Sequence, residues 1–441
     1  MQYRRQIPNN EMIITNLPSS IIGDKISIVN IPVPIPIPIR TINKGVMEEK
    51  EEILFSTDEN RFRAALQDFL HRMNAKELER EIYERDSYPR ALYKRLGEAG
   101  FLAQVLPPEY GGRGSLTCEA ILTEELGAAC VPLAWIHSTS SYVYATISRF
   151  GTEEQKERFL GPMRMGMKTG AIAITEPDAG SDVMRIRTRA ELKGNGYEIR
   201  GEKRNITNGS KADVLLVWAI TDPQVEPARG MSAFIVEPCE RKGFEVIEDY
   251  KLLGGFPGTV NSHIQFDGLS VPRENLLGKV NEGVRILFDE LAIERVLYAA
   301  MLVGEARPVV ELAADYSMER EQFGTPISRF EAVSFKLADM VTKLEAARLM
   351  VYHTTRLIDA GYTAEKESAM SKLLASEAFF ESAHNTLQIL GGRGLSEYPA
   401  EWAFRMARLS MIPAGTNEIM RYIVQREIYK AKAKARKRRR S

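Results

Sequence analysis

The chain has 441 residues, 44% of them hydrophobic and 27% charged, with 59 basic and 59 acidic side chains. These values are typical of a globular protein large enough to bury a core spread over two or three structural units, and the lack of an uncharged apolar run of bilayer length excludes a membrane-spanning helix. The charges are unevenly distributed along the chain, because residues 430–440 contain eight Lys or Arg and no acidic residue.

The cysteines and the N-terminus bear on the cellular compartment. Cys118, Cys130 and Cys239 lack the spacing of metal ligands, and an odd count does not suit a disulfide framework, so a reducing compartment fits best. The N-terminal residues are interrupted by Asn, Pro and charge, and they lack the apolar core of a signal peptide. We therefore predict a cytoplasmic protein without a metal site.

Residues 1–52 are predicted to form an N-terminal extension. Its segment IPVPIPIPI (31–39) alternates proline with β-branched residues, which favours an extended polyproline-like strand and excludes a helix. The segment packs either on the rest of the protein or on a partner. Alternatively, it results from the choice of start site, because the sequence that begins at Met47 is far more ordinary. The sequence leaves these alternatives open.

The remaining chain divides by its periodicity. Residues 53–168 contain amphipathic helical stretches separated by Gly and Pro. Residues 169–278 change to polar–apolar alternation with a Gly-Asn-Gly hairpin turn, which predicts a β domain. Long helical runs return over 279–430 and suggest a bundle. Residues 431–441 form a basic tail that can contact nucleic acid or anionic lipid, although a solvated, flexible end is the favoured interpretation.

One glutamate interrupts the apolar side of a predicted helix. In LAIERVLYAAMLVG (291–304), Glu294 shares its helical line with Leu287, Leu291, Leu297, Tyr298 and Met301. A carboxylate in dry, apolar surroundings has a raised pKa and can act as a general base. The competing interpretation, favoured by the helix alone, is that Glu294 and Arg295 form an ordinary surface or structural ion pair.

Several motifs occur in a specific order. In chain order they are AIAITEPDAGSDV (171–183), ERVLYAAMLVGEA (294–306), YSMEREQFGTPISRFEAV (316–333), QILGGRGLSEYP (388–399) and RMARLSMIPAGTNEIMR (405–421). Together they resemble the acyl-CoA dehydrogenase family of flavoproteins over residues 55–428. The resemblance implies class α+β, with an N-terminal helical domain, a central β-barrel-like domain and a C-terminal four-helix bundle. It also implies FAD, a homotetramer or at least a dimer, electron-transfer flavoprotein as acceptor, and a role in fatty acid metabolism.

The same resemblance implies where the ligands bind. Strand ends with hydroxyl and amide donors are expected to contact the flavin ring through Ile172, Ile174, Thr175, Asn205, Ile206 and Thr207. The other cofactor contacts, some of them reaching a neighbouring subunit, are expected from Arg320, Gln322, Phe323, Glu331, Gln388, Ile389, Leu390, Gly391, Gly392, Thr416 and Glu418. A guanidinium suits the FAD pyrophosphate because its fork geometry is fixed. The expected acyl-CoA contacts are Ser181, Ala292, Arg295, Ala414 and Gly415.

The implied reaction is α,β-dehydrogenation of an acyl-CoA thioester, in which a base removes the α-proton and the β-hydride goes to flavin N5. Many family members carry this base immediately before the Gly-Thr of the last motif, where this chain has Ala414. In an isovaleryl- and long-chain-type subset, the glutamate instead precedes the arginine of the earlier helix. Glu294 holds that position and is predicted to be the base, while the Ala414 N–H donates to the thioester oxygen.

Two positions depart from the family pattern. Asn205 stands where an aromatic residue, often Trp, lies against the flavin near its electron-transferring partner, so this contact is expected to change. Glu331 stands where Gln is common, which we take as a minor change. The alternatives are an acyl-carrier-protein dehydrogenase, a flavin oxidase or monooxygenase on the same fold, and a non-catalytic scaffold. Retention of Thr175, Thr207 and Arg320 argues against the scaffold.

Overall fold

The computed structural model of the protein describes residues 54–238, 242–253 and 257–438. Its first part is helical, with α1 (Thr57–Arg72), α2 (Ala75–Arg85), α3 (Arg90–Glu98), α4 (Leu116–Ala129), α5 (Val131–Phe150) and α6 (Glu153–Arg164). Capping boxes at Ser56 and Thr152 fix where α1 and α6 begin. The extension predicted for 1–52 and Cys239 lie outside the described residues, and Cys118 and Cys130 are free, buried thiols.

A mixed sheet follows the helices. It contains β1 (Gly170–Ala173), β2 (Arg189–Lys193), β3 (Gly196–Thr207), β4 (Val214–Ile220), β5 (Met231–Val236), β6 (Phe244–Tyr250), β7 (Asn261–Pro272) and β8 (Leu276–Leu277), with the one-turn α7 (Pro227–Gly230) before β5. The strand order is β6-β7-β3-β2-β4-β5-β8, and β1 pairs with β4. Among the described strands, β6 and β8 do not pair with each other, and the two-residue β8 is too short to extend the ladder. The predicted central β domain is therefore present, but among the described strands its sheet is open and does not close into a barrel.

The sheet orients the helix that follows it. All seven residues of β4 are buried, as expected for a strand covered on both faces. The Trp218 indole N–H donates to the Gly283 carbonyl at 2.9 Å. Because Trp218 is fully buried, this hydrogen bond fixes the start of the next helix against the sheet.

The C-terminal part is helical, as predicted. It comprises α8 (Gly283–Glu319), α9 (Glu331–Asp359), α10 (Glu365–Leu390), α11 (Ala400–Leu409) and α12 (Asn417–Arg438), with the short β9 (Glu321–Gln322) and β10 (Thr325–Pro326) after α8. Helix α10 packs against α8, α9 and α12. Helix α12 continues through the basic residues where a flexible end was expected, because Ala, Lys and Arg are strong helix formers. None of the helices within the described ranges has the length and apolar character needed to cross a membrane.

A buried ion cluster joins the N-terminal helices to the C-terminal ones. Glu124 of α4 accepts hydrogen bonds from Arg307 Nη1 of α8 (2.9 Å) and Arg348 Nε of α9 (3.0 Å), and Arg63 of α1 and the Tyr352 hydroxyl also contact it. Burial alone would raise the pKa of Glu124, but Arg348, Arg63 and Arg307 outweigh burial and lower the pKa to about 2. A buried carboxylate needs such partners, so the cluster fixes how these four helices pack.

We expect Glu124→Gln to remove an acid-sensitive part of the stability. Because the folded-state pKa of Glu124 lies below its ordinary value of 4.5, the carboxylate stabilises the fold fully above about pH 4.5 and loses this effect as the pH falls toward 2. The variant should lose on the order of 3 kcal/mol of unfolding free energy at neutral pH, measured by urea unfolding. The difference in unfolding free energy between wild type and variant should shrink in acid. A difference that is constant with pH would contradict a lowered pKa of Glu124. The exposed Glu77→Gln is the control.

Candidate active site

Glu294 lies on the buried side of α8. Glu290 and Tyr298, one turn before and one turn after it, are both buried, and Glu294 itself is partly buried. Burial raises the pKa of the Glu294 carboxyl, against the opposing effects of Arg295, of the neighbouring Glu290 carboxyl, and of Lys372. A raised pKa is the property that a carboxylate base requires.

The loop between α11 and α12 is held next to this part of α8. The buried Arg295 donates from Nε to the Ala414 carbonyl at 3.2 Å. Ala414, the position at which many members of the similar family carry the base, therefore lies beside the residue that follows Glu294. The fully buried Lys372 of α10 donates to Asn417 Oδ1 at 2.8 Å, and the Ser376 hydroxyl donates to the same oxygen at 3.0 Å. Burial, reinforced by Arg295, lowers the pKa of Lys372 to about 7. Sequence reasoning missed Lys372.

The backbone of this loop is unusual at two successive residues. Ala414 has φ = 58° and Gly415 has φ = 93°, in the left-handed region that non-glycine residues seldom adopt. The Thr416 hydroxyl then accepts a hydrogen bond from the Ile419 N–H at 3.3 Å, which caps the start of α12. Glu418 lies in the first turn of α12 and is exposed. Within this turn, the Ala414 carbonyl is the group that accepts the hydrogen bond from Arg295 of α8.

A buried lysine fixes the loop that begins at Thr175. Lys203 of β3 is fully buried, and its Nζ donates to the Ile174 carbonyl and to Glu176 Oε1, each at 2.9 Å. The Arg204 N–H donates to the Thr175 carbonyl at 2.8 Å. Burial lowers the pKa of Lys203 to about 8 despite the attraction of Glu176. These bonds hold the candidate flavin contacts Ile174 and Thr175 at the end of β1, although Lys203 itself escaped sequence reasoning.

Helix α5 connects the sheet part of the site to Glu294. Asn208, which follows Thr207 at the end of β3, donates from Nδ2 to Thr139 Oγ1 of α5 at 2.6 Å. Tyr142 lies about one turn further along α5, where burial and then the nearby Glu294 carboxylate raise its pKa. The end of β3 and Glu294 therefore flank the middle of α5. Neither Thr139 nor Tyr142 was predicted as a site residue.

An aromatic residue lies beside Asn205, although not at its position in the chain. Asn205 is exposed, has φ = 60° and sits in a bulge of β3. Its N–H donates to the Tyr250 hydroxyl at 2.8 Å, and that hydroxyl also bonds the Asn205 side chain. The guanidinium of Arg204 covers the Tyr250 ring at 5.6 Å from its centroid. Tyr250 comes from β6, so only the strand pairing reveals this contact.

A second group of candidate residues lies at the other end of α8. We call it the α8-end surface, and its exposed members are Arg320, Gln322, Phe323, Glu331, Gln388, Gly391 and Gly392. Arg320 lies 26 residues after Glu294, which is roughly 39 Å along a helix rising 1.5 Å per residue. One chain therefore does not bring the two groups together. Ile389 and Leu390, predicted beside them, are buried.

The α8-end surface has features that suit an extended phosphate ligand. Within the described ranges, the Arg320 guanidinium makes no ion pair, and Phe323 is 95% exposed. A Cβ added at Gly391 or Gly392 would meet nothing within 4 Å, so their backbone borders open space. Arg393 covers the Tyr316 ring at 5.6 Å, which ties this glycine segment to the last turn of α8.

The other candidates occupy varied surroundings. Ser181 is exposed in the loop after β1, Ile206 is buried in β3, and Ile172 and Ala292 are partly buried. The Thr207 hydroxyl donates to Asn261 Oδ1 at 3.2 Å. The described residues contain no cluster of three or more His, Cys, Asp or Glu side chains that could hold a metal ion.

Two glycines let α4 and α8 cross with their backbones in contact beyond Glu294. A Cβ at Gly127 would lie 2.5 Å from the Met301 carbonyl oxygen, and one at Gly304 would lie 2.0 Å from the Glu124 carbonyl oxygen. Both clashes would be with main-chain atoms, which cannot move aside as side chains do. On α5, the Ser138 hydroxyl contacts Met301 Sδ at 3.2 Å.

Family models match three stretches of the chain. The acyl-CoA dehydrogenase N-terminal domain matches residues 56–167, the middle domain 171–269 and the C-terminal domain 281–429. An acyl-CoA dehydrogenase of Bacillus subtilis (strain 168) is 38% identical over 355 residues, which span 78% of this chain and 92% of that protein.

Solved structures agree with these matches. Butyryl-CoA dehydrogenase from Megasphaera elsdenii superposes with a TM-score of 0.81 at 31% identity, covering 85% of this chain and 99% of that one. A chain from the structure of the electron transferring flavoprotein of Acidaminococcus fermentans gives a TM-score of 0.81 at 37% identity, covering 85% and 98%. The fold, the order of the motifs and these likenesses lead to one conclusion. This chain belongs to the acyl-CoA dehydrogenase family.

Proposed function

We propose that the protein is an FAD-dependent dehydrogenase of acyl-CoA thioesters that uses Glu294 as its base, as in the isovaleryl- and long-chain-type subset. The observation that carries the proposal is the hydrogen bond from Arg295 to the Ala414 carbonyl. It brings the helix with a buried-side glutamate against the loop from which the usual glutamate is missing. Family membership makes FAD the cofactor, and we assign the activity to fatty acid or related acyl-CoA metabolism in the reducing environment of the cytoplasm.

The chain's own residues would handle the proton and the developing charge. Glu294, with its pKa raised by burial, takes the proton from the carbon next to the thioester carbonyl. The Ala414 N–H donates to the thioester oxygen as negative charge develops there. Bound FAD supplies the acceptor for the β-hydride. Thr175 and Thr207 would border the flavin edge, and Ser181 and Ala292 would contact the CoA arm and the acyl group.

We further propose that FAD binds between subunits of a homotetramer or dimer. The α8-end surface is exposed and lies far from Glu294 in the same chain, so it would hold the pyrophosphate and adenine of an FAD whose flavin lies in a neighbouring subunit. Exposed Phe323 and Phe335, 95% and 62% accessible, are large apolar side chains of the kind that subunit contacts cover. Gln388, Gly391 and Gly392 would border the dinucleotide on the same surface.

The proposed electron acceptor is an electron-transfer flavoprotein. Asn205 cannot stack on the flavin as the usual aromatic residue does, but Tyr250 hydrogen-bonds to it and supplies an aromatic side chain nearby. Because Asn205 is exposed, a partner can approach this end of β3. The contact therefore differs in detail from that of family members with an aromatic residue in β3.

Anaerobic titration of the purified yellow protein with acyl-CoA thioesters of graded chain length tests the function. We expect the flavin absorbance to bleach with at least one acyl-CoA, and electron-transfer flavoprotein to restore it. Bleaching by acyl carrier protein thioesters alone would instead favour the carrier-linked dehydrogenase. Rapid recolouring by oxygen alone would indicate an oxidase, and a colourless protein that takes up no FAD would contradict the proposal.

A further inference from the structure

Glu290 is a second acidic residue next to the proposed base. It lies one turn before Glu294 on α8, and its side chain is fully buried. Neither of its carboxylate oxygens has a hydrogen-bond partner among the described residues. The four-residue spacing on α8 places its side chain beside that of Glu294, close enough for the two carboxyl groups to affect each other's pKa. An ionised carboxylate only accepts hydrogen bonds, so two of them can bond only if one carries a proton.

The surroundings indicate which of the two holds the proton. On α8 the charged neighbours are Asp289, which pairs with Arg149 at 2.7 Å, and Arg295, whose Nε donates to the Ala414 carbonyl. Tyr142 on α5 adds a neutral phenol. Within the described residues, no Lys or Arg forms an ion pair with Glu290. Burial and then Glu294 raise the pKa of Glu290 well above its ordinary value, and they outweigh the opposing effect of Arg295, because a dry site disfavours a second negative charge that no ion pair compensates.

Glu294 is the better placed of the two to stay ionised. It is only partly buried, and both Arg295 and Lys372 lower its pKa. Interacting carboxyl groups titrate as a pair, so the first proton leaves the pair at one pH and the second only at a much higher one. Between these two pH values, the pair carries one negative charge and one proton.

We propose that Glu290 is a positioning residue that stays protonated, donates its O–H to the Glu294 carboxylate, and sets the pH at which Glu294 becomes a base. This inference rests on the proposed function of Glu294. During the reaction, the α-proton would bond to Glu294 while the C–H electron pair stays on the substrate, and Glu290 keeps its own proton. The donated hydrogen bond also fixes which Glu294 oxygen is free to face the substrate.

The pH dependence of kcat/KM tests this role, because its acid limb reports ionisation of the free enzyme's base. Glu290→Gln retains an N–H donor and should leave the acid limb close to that of the wild type. Glu290→Leu removes the donor and should move the acid limb up by about one pH unit or more. If Glu290 were ionised, both variants would move the acid limb to lower pH, and that result would overturn the proposal. An acid limb that moves in neither variant would also overturn it.

Controls separate this proposal from the proposed function. Glu305→Gln changes another buried carboxyl on α8, eleven residues after Glu294, and should leave the acid limb in place. If Glu294→Gln is active, the proposed function of Glu294 is refuted. If Glu294→Gln is inactive but the pH profile of kcat/KM for Glu290→Leu matches that of the wild type, only the role of Glu290 is refuted.

An infrared measurement on the FAD-free protein gives a readout independent of activity. At neutral pH, the difference spectrum between wild type and Glu290→Gln should show the loss of one protonated-carboxyl stretching band. If both spectra carry the same band, Glu290 holds no proton and the proposal fails. Because Gln has nearly the shape of Glu, this comparison stays valid even if Glu290→Leu does not fold.

Discussion

Glu294→Gln is expected to reduce kcat by roughly 10²–10⁴-fold, the usual contribution of a positioned general base, while the protein remains yellow. The amide keeps the size and polarity of the side chain but cannot accept the α-proton. Stopped-flow measurement of flavin reduction by acyl-CoA under anaerobic conditions, on protein with full FAD content, measures this effect. Glu305→Gln is the matched control, because it removes another buried carboxyl from the same helix. Full activity of Glu294→Gln would rule out this base.

The same experiment extends to the position where the family usually carries its base. Adding Ala414→Glu to Glu294→Gln should restore part of the flavin reduction. Ala414 already has a Cβ in the left-handed conformation, so a longer side chain adds no new backbone strain there. Partial recovery would place both positions within reach of the same substrate carbon. If the double variant stays as inactive as Glu294→Gln, the two positions do not serve the same carbon.

Phe323→Asp combined with Phe335→Asp is expected to break the assembly and to release FAD. Covering these two exposed side chains in a subunit contact would contribute several kcal/mol at about 25 cal/mol per Å² of apolar area. Buried carboxylates at the same places would oppose association. Light scattering should show a smaller particle, and the flavin absorbance per chain should fall by more than half.

The control for this prediction is Leu192→Asp. Leu192 is 58% exposed and lies in the β2–β3 hairpin, away from the α8-end surface. It should change neither the particle mass nor the FAD content. If the double Phe variant keeps both its mass and its flavin, Phe323 and Phe335 do not lie in the subunit contact.

Local patterns were sufficient for the order of the elements but not for every helix. The alternation in β2 and β3 and their Gly-Asn-Gly turn predicted the hairpin that the structure contains. In contrast, α5 was not predicted as a separate helix. Its polar stretch from His137 to Ser141 is buried on every side, so no 3.6-residue contrast between apolar and polar residues marks it.

In the candidate active site, too, some residues could be recognised from the sequence and others only from the fold. The position of Glu294 on an apolar helical line was visible in the sequence, and the structure places it on the buried side of α8. Lys203, Lys372 and Tyr250 were missed because each acts through a residue distant in the chain, which becomes a neighbour only through strand pairing or helix packing. Glu290 was the one omission that the sequence could have corrected, since a four-residue spacing puts it on the same face as Glu294.

The touching main chains of α4 and α8 at Gly127 and Gly304 tie the placement of Glu294 to the N-terminal helices. A side chain at either glycine would meet main-chain atoms of the other helix, so the two helices would have to separate. Because Glu294 lies on α8, such a separation would displace the proposed base. Variants designed to alter catalysis or substrate preference should therefore leave the paired glycines intact.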